Sequence, residues 1–351
     1  MVEAIYDKLA AALNARGTYV PAVTCKEFYD LAEFLFTPEE AAIACAMPIE
    51  YSTVDEIAAN LGTKDVKKLA AQLETMGDKG LIHIKEAGGK KLYEGLPFVP
   101  GLFEFQLMKG IVDERSKKWA VLLNDYSKAV KREFMSGKPP KIEKSAPGRK
   151  VPVEKEIRQL TSPIPYVEMK QLIMDTEHIA AGTCVCRHQG NLLGKPSNEP
   201  MGNCMVFGES ALFSIERGFT KKLSKDDALK ILEEAEEAGL VHNYVNSPGR
   251  FTNLLCNCCG CHCFILRGLK NAPAPSQMVN ARYLIQINQD DCTACEACID
   301  RCRVKALKME NGKLVRDELR CIGCGLCMWA CPADALYLEP REAGKISLLK
   351  C

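Results

Sequence analysis

Apolar positions in the first hundred residues recur at helical spacing and are punctuated by capping signals. Residues 1–14 place Ile5, Leu9, Ala12 and Leu13 on one stripe with acids among them, the pattern of an amphipathic helix. Thr37-Pro38-Glu39-Glu40 is a capping box with proline at the first helical position, and it opens onto the apolar run 41–46. Thr53-Val54-Asp55-Glu56 is a second capping box, starting a short helix through Ile57 and Leu61 that stops at Gly62. A third helix runs from about Lys64, with Val66, Leu69, Leu73 and Met76 on one face, and ends near Gly80. The period then shortens. Leu81-Ile82-His83-Ile84 and Lys91-Leu92-Tyr93 flank Ala87-Gly88-Gly89, which predicts a β-hairpin. A long charged helix is expected from about Gly101 to Phe134. Four prolines and six basic residues between Ser136 and Lys155 then read as a linker. Further on, the pattern predicts a helix around Tyr166 to Thr176 and an apolar strand before Cys184. A helix from Ser224 to about Ala238, stopped by Gly239, should precede the strand-like Leu240-Val241-His242.

Three helices followed by a hairpin resemble a winged helix-turn-helix. The expected fold class is α+β and multidomain. It comprises a helical domain over 1–135 with the winged-helix-like unit at about 36–96, a linker at 136–156, and an α/β cysteine-rich middle domain at 157–282. A ferredoxin fold at 283–342 and a tail at 343–351 complete it. At 351 residues the chain is long enough for two or three cores. A formal net charge of +1 gives no bulk attraction to nucleic acid or membrane. The apolar stretch Phe98–Val112 is broken by Glu104 and Lys109 and is too short to span a bilayer. Without a signal-like apolar run at the start, a reducing cytoplasm is the expected location.

Composition changes the picture through cysteine. Of nineteen, Cys25 and Cys45 lie early and Cys351 ends the chain, while sixteen fall between Cys184 and Cys331. An odd count in tight clusters fits metal ligation better than a disulfide framework. Cys292, Cys295 and Cys298 are spaced C-x2-C-x2-C with Cys302 following, and Cys321, Cys324, Cys327 and Cys331 repeat the spacing ahead of Pro332. This pattern resembles the bacterial-type two-cluster ferredoxins over roughly residues 285–340. The resemblance implies two [4Fe–4S] clusters, with the fourth cysteine of each run crossing to the other cluster. One cluster would take Cys292, Cys295, Cys298 and Cys331; the other would take Cys321, Cys324, Cys327 and Cys302. Zinc favours two separated cysteine pairs and fits this spacing poorly. Arg303 stands where the family usually has proline, and it is expected to leave a positive charge near one cluster. Diffusible ferredoxins of this type are strongly acidic. The span Gln286–Arg341 is close to charge-balanced, which points to a fixed domain feeding a docked partner or an internal site.

A second set comprises Cys184 and Cys186, the lone Cys204, and Cys256, Cys258, Cys259, Cys261 and Cys263. At least one additional [4Fe–4S] cluster is expected here, with zinc, a thiol/disulfide redox site or buried cysteines as the alternatives. On an extended chain Cys184 pairs with Cys186 and Cys256 with Cys258, whereas Cys259, Cys261 and Cys263 share the opposite face unless Gly260 breaks the alternation. Arg187, His188 and His262 adjoin these positions. They are candidates for hydrogen bonding to a cluster, binding substrate, moving protons or ligating iron, or else they are ordinary loop residues. His83, His178 and His242 read as core or surface residues. The motifs C-V-C-R-H, M-G-N-C-M and C-N-C-C-G-C-H-C resemble a group of 4Fe–4S-binding proteins of anaerobes over roughly 160–340.

Three function classes follow. The leading one is an electron-transfer iron–sulfur protein, a relay subunit or accessory of an anaerobic oxidoreductase, with redox proteins as donor and acceptor. The second is an iron–sulfur enzyme whose middle cluster meets a substrate; no catalytic residue is singled out for it. The third is a redox-responsive DNA-binding regulator. Its recognition helix would set Lys64, Lys67, Lys68 and Lys79 against Asp65, Glu74 and Asp78, a weak electrostatic footprint, so nucleic acid is not favoured as a partner. A homodimer through the N-terminal helical domain is a further expectation.

Overall fold

A computed structural model of the protein describes residues 2–17, 20–135, 161–163, 166–246, 253–279, 281 and 283–341. The expected linker and C-terminal tail lie outside the described residues. The chain is mixed helix and strand.

The first part carries α1 (Val2–Ala15), α2 (Lys26–Leu35), α3 (Pro38–Ala46), α4 (Val54–Leu61) and α5 (Val66–Asp78). Both capping boxes form: the Thr37 and Thr53 hydroxyls accept from the Glu40 and Glu56 backbone N–H, and each glutamate accepts in return. Strands β1 (Ile82–Ala87) and β2 (Lys90–Gly95) pair antiparallel, with Ala87 opposite Lys90. The expected long helix is interrupted. An irregular turn at Phe98–Leu102 leads into α6 (Phe103–Leu107), and α7 (Glu114–Met135) starts afresh. Gly110 sits at φ +69 between them, where a Cβ would meet the Thr183 hydroxyl at 2.4 Å. The Asp113 carboxylate then caps the new helix by accepting from the Ser116 N–H at 2.7 Å.

The next elements are β3 (Thr161–Pro163), α8 (Tyr166–Asp175), β4 (Ile179–Gly182), α9 (Val185–Leu192), β5 (Cys204–Phe207), α10 (Glu209–Glu216) and β6 (Lys221–Lys222). After them come α11 (Lys225–Glu237), β7 (Val241–Asn246), β8 (Asn253–Cys258), α12 (Phe264–Asn271) and α13 (Pro275–Met278). The strands form one sheet in the order β3-β7-β8-β5-β4-β6, with every pairing antiparallel. Alternation decides its two faces. Ile179, Ala181, Met205, Phe207 and Leu255 pack on Met169 and Ile173 of α8 and Ala228 and Leu232 of α11. Ala180, Cys204, Val206 and Leu254 point the other way, into a core shared with α1–α7. The largest apolar core therefore runs across both sides of the expected linker.

The C-terminal part has β9 (Tyr283–Ile287), α14 (Ala297–Arg301), β10 (Leu307–Glu310), β11 (Lys313–Arg316), α15 (Leu326–Trp329) and β12 (Leu336–Pro340). β9 pairs with β12 and β10 with β11, both antiparallel. Its core continues into Val241, Cys258, Cys263, Leu266 and Leu269 of the middle region. Arginines clamp this junction. Arg301 Nη2 donates to the Glu237 carbonyl at 2.8 Å and to that of Glu236, and Arg303 Nε donates to Gly239 at 2.8 Å, at the C-terminal end of α11. Arg320 does the same for α12 through the carbonyls of Lys270 and Ala272. Each guanidinium meets carbonyls that the helix leaves without a partner, at the negative end of its dipole. Among the described residues no helix is long and apolar enough to cross a membrane.

Candidate iron–sulfur centres

The two cysteine runs of the C-terminal part fold as pseudo-equivalent loops, each leading into a short helix. Ala294 and Glu296 in the first loop hold φ +55 and +63, where Gly323 and Gly325 of the second hold +67 and +81. Only glycine fits at 323, since a Cβ would meet the Tyr283 carbonyl oxygen at 2.2 Å. The fourth cysteines match as well: Cys302 Sγ accepts from the Ala306 N–H at 3.1 Å and Cys331 Sγ from the Ala335 N–H at 3.3 Å.

The folded chain gathers Cys298 with Cys331, Cys292 and Cys295, and it gathers Cys327 with Cys324, Cys302 and Cys321. The first group lines a shallow open pocket with Leu314 and Leu336. Burial pushes the Cys298 thiol up to about 11 and that of Cys324 up to about 12, with the neighbouring thiols adding to both. Such sites hold thiolates only once a cation offsets the burial. Sulfurs around a tetrahedral zinc would stand about 3.8 Å apart, from a bond of about 2.3 Å. Neither group brings three sulfurs within 4.8 Å of one another, so a cube with separate corners fits these thiols better than a single ion.

The first group faces outward, with Cys295 exposed; the second faces the middle region, where the Glu236 charge reaches Cys324. Arg303 is expected to leave a positive charge near one cluster, and the structure shows which partners that charge takes. Its guanidinium is taken up by the α11 carbonyls and lies 3.8 Å from the Glu199 carboxylate.

In the middle region the thiols come from separate elements. Cys184 is the extended N-cap of α9 and Cys186 lies in its first turn, so the pair straddles a helix start rather than sharing one extended chain. Cys204 opens β5, Cys256 and Cys258 share one face of β8, and Cys263 is the N-cap of α12. Together they form a chain of sulfur contacts: Cys186 to Cys263, Cys263 to Cys258, Cys258 to Cys256, and Cys256 to Cys204, with Cys184 beside Cys256 and Cys263. The neighbouring Cys204 and Cys258 thiols bring Cys256 down to about 5, and Cys186 and Cys258 hold Cys263 well below the usual thiol range. Cys186, Cys204 and Cys258 are raised by these neighbours and by burial, and burial pushes Cys184 up to about 12.

The turn at Gly260 does break the alternation. It sends Cys263 to the Cys258 side and leaves Cys259 and Cys261 with His262. Arg187, one of the candidate loop residues, is fully buried instead. Burial works against its charge, but Cys184, Cys259 and Cys258 keep it charged, while Nη1 donates to the Asn257 carbonyl at 3.0 Å and Nη2 to Asn203 Oδ1. Asn257 Oδ1 meets His242 Nδ1 at 2.6 Å, and His242 Nε2 lies 2.9 Å from Glu236. A buried polar chain thus runs from Arg187 to the α11 end held by Arg301. His188 Nε2 is occupied by the Ile111 carbonyl at 3.0 Å. Sequence reasoning missed Glu104. It is buried, its carboxyl is pushed up to about 8 by burial, and it lines a small pocket with Phe105, Met108 and Ser210. A lone acid inside an apolar stretch was the available signal.

Residues 285–308 and 314–337 match the 4Fe-4S binding domain family. An uncharacterised ferredoxin of Methanocaldococcus jannaschii is 39% identical over 59 residues, covering 16% of this chain and 39% of the relative. The thiosulfate reductase electron transfer subunit PhsB of Salmonella typhi is 39% identical over 71 residues, covering 19% and 37%. The putative electron transport protein YsaA of Escherichia coli is 34% identical over 76 residues, covering 19% and 48%. The matches span less than half the length of these relatives. No solved structure matches the chain. The C-terminal part is thus a ferredoxin-type [4Fe–4S] module, and this is an iron–sulfur protein with electron-transfer relatives.

Proposed function

We propose that the protein relays single electrons between a further [4Fe–4S] cluster in the middle region and the two clusters of the ferredoxin module, as a subunit or accessory of an oxidoreductase. The observation that carries this reading is the docking of the module. The group of Cys302, Cys321, Cys324 and Cys327 lies against the middle region through Arg301, Arg303 and Arg320, and the other group opens to the surface at Cys295. Four of the six converging thiols (Cys184, Cys186, Cys204, Cys256, Cys258 and Cys263) would hold the middle cluster. No three of these sulfurs lie within 4.8 Å of one another, which suits separate corners of a cube better than a single ion. A thiolate-ligated cube supplies reversible one-electron storage. Arg187 would face it with fixed positive charge, favouring the reduced state.

Metal and sulfide analysis of anaerobically reconstituted protein tests the proposal: about twelve irons per chain are expected. About eight would leave only the ferredoxin clusters and remove the relay. Redox partner proteins then follow as donor and acceptor. Relatives named as electron-transfer subunits support that class of partner.

The N-terminal unit reads as a packing scaffold rather than a DNA reader. Glu74 and Asp78 of α5 hold Arg217 at 2.7 and 2.6 Å, which docks the helix on the middle region. Lys68 and Lys79 are paired with Glu39 and Glu40. Absence of salt-sensitive DNA binding at low ionic strength is the expected result.

A further inference from the structure

Cys259, Cys261 and His262 stand apart from the six-thiol set. Their donor atoms all lie within 4.8 Å of one another, and among the described residues they are the one group of cysteine, histidine or acidic side chains that does so. We propose that Cys259 Sγ, Cys261 Sγ and His262 Nδ1 form a mononuclear metal site of the zinc class, separate from the iron–sulfur centres, with a fourth position open to solvent.

The imidazole is held for this task from three sides. His262 Nδ1 lies 3.1 Å from Cys261 Sγ and 4.0 Å from Cys259 Sγ, so this nitrogen faces the thiols. On the far side Nε2 lies 2.9 Å from the Lys195 carbonyl. A carbonyl only accepts, so Nε2 carries the proton and Nδ1 presents its lone pair inward, the arrangement by which metal-binding histidines are oriented. Gly190 of α9 makes room for the ring: a Cβ there would meet His262 Cδ2 at 2.4 Å and Nε2 at 2.9 Å. The backbone agrees, since the His262 N–H donates to Cys259 Sγ at 3.3 Å and pre-sets that sulfur as an acceptor.

Donor chemistry and spacing choose the class of metal. Two thiolates and one imidazole suit a borderline-soft divalent ion, and three protein ligands with a vacant fourth position is the arrangement of reactive rather than structural zinc. Cys261 is exposed while Cys259 is buried, so the vacant side opens outward. A cube takes one ligand on each of its corner irons, and three donors crowded this closely suit one atom better. This site does not depend on the relay reading.

The test uses the full chain, reconstituted anaerobically with iron and sulfide and then given one equivalent of zinc. The expected result is about one zinc per chain with iron content unchanged, and a zinc-edge absorption spectrum showing two sulfurs at about 2.3 Å and one protein nitrogen at about 2.0 Å. Cys261→Ala and His262→Gln should abolish zinc retention while leaving iron in place. Gly190→Ala removes no ligand, but it should weaken zinc binding about 10–100-fold by displacing the ring. Zinc retained at wild-type affinity in these variants would overturn the proposal, as would an all-sulfur zinc shell. So would a loss of about four irons in Cys261→Ala, which would make that thiol a cluster ligand.

Discussion

The ferredoxin module and the cysteine-rich middle region both bring buried thiols together, by different routes. In the module, eight cysteines come from two short runs, and the loops supply their own geometry through positive-φ residues at 294, 296, 323 and 325. In the middle region, the thiols come from α9, β5, β8 and α12, and a sheet with helices on it must form before they meet. Local repetition makes the first legible in one dimension. The second depends on strand register: Cys258 lies opposite Val241 and Cys256 opposite Asn243, and a slip of one residue would turn both thiols to the other face.

The sharpest way to break this comparison is to remove one thiol from each side. Cys298→Ala should cost about four irons from the ferredoxin clusters, and Cys256→Ala about four from the middle site. Iron analysis with EPR of the reduced protein reads both. Unchanged iron in Cys256→Ala would mean that the two regions do not share a chemistry. Next in size is Gly323→Ala, which drives a methyl into the Tyr283 carbonyl and should destabilise the module by about 3 kcal/mol, read by chemical denaturation. Arg303→Ala tests the joint between the regions. Losing its charge-assisted bonds to Gly239 and Ala238 should cost about 2 kcal/mol and leave the module more open to proteolysis, with iron content retained. The smallest effect runs the other way. Ala294→Gly relieves a left-handed backbone at a position whose counterpart is already glycine, and should raise stability by about 1 kcal/mol.

Much of the local structure was legible. The capping boxes at Thr37 and Thr53, the hairpin over Gly88-Gly89, and the helix between Ser224 and Gly239 depend on near neighbours, and the folded chain carries them where the pattern put them. The long helix from Gly101 was misjudged because its break answers a distant residue. Gly110 turns left-handed where Thr183 leaves no room for a side chain. Arg187 was set among loop residues, yet it is buried, because its partners Asn203 and Asn257 lie 16 and 70 positions away. The spacing of Cys184 and Cys186 carries no sign of the helix that starts between them.

Sequence alone marked the ferredoxin module, since its eight cysteines and their two-run spacing lie in local order, while the crossed grouping is what the family resemblance implies. Tertiary structure decided how the remaining thiols are grouped. It split the run 256–263 into two groups at the Gly260 turn, brought Cys263 near Cys186 across the core, and turned His262 toward Cys259 and Cys261 in the space that Gly190 leaves. The physical reason is that ligand sets assembled from distant elements depend on which faces the packed sheet buries, and that choice is made by the whole core.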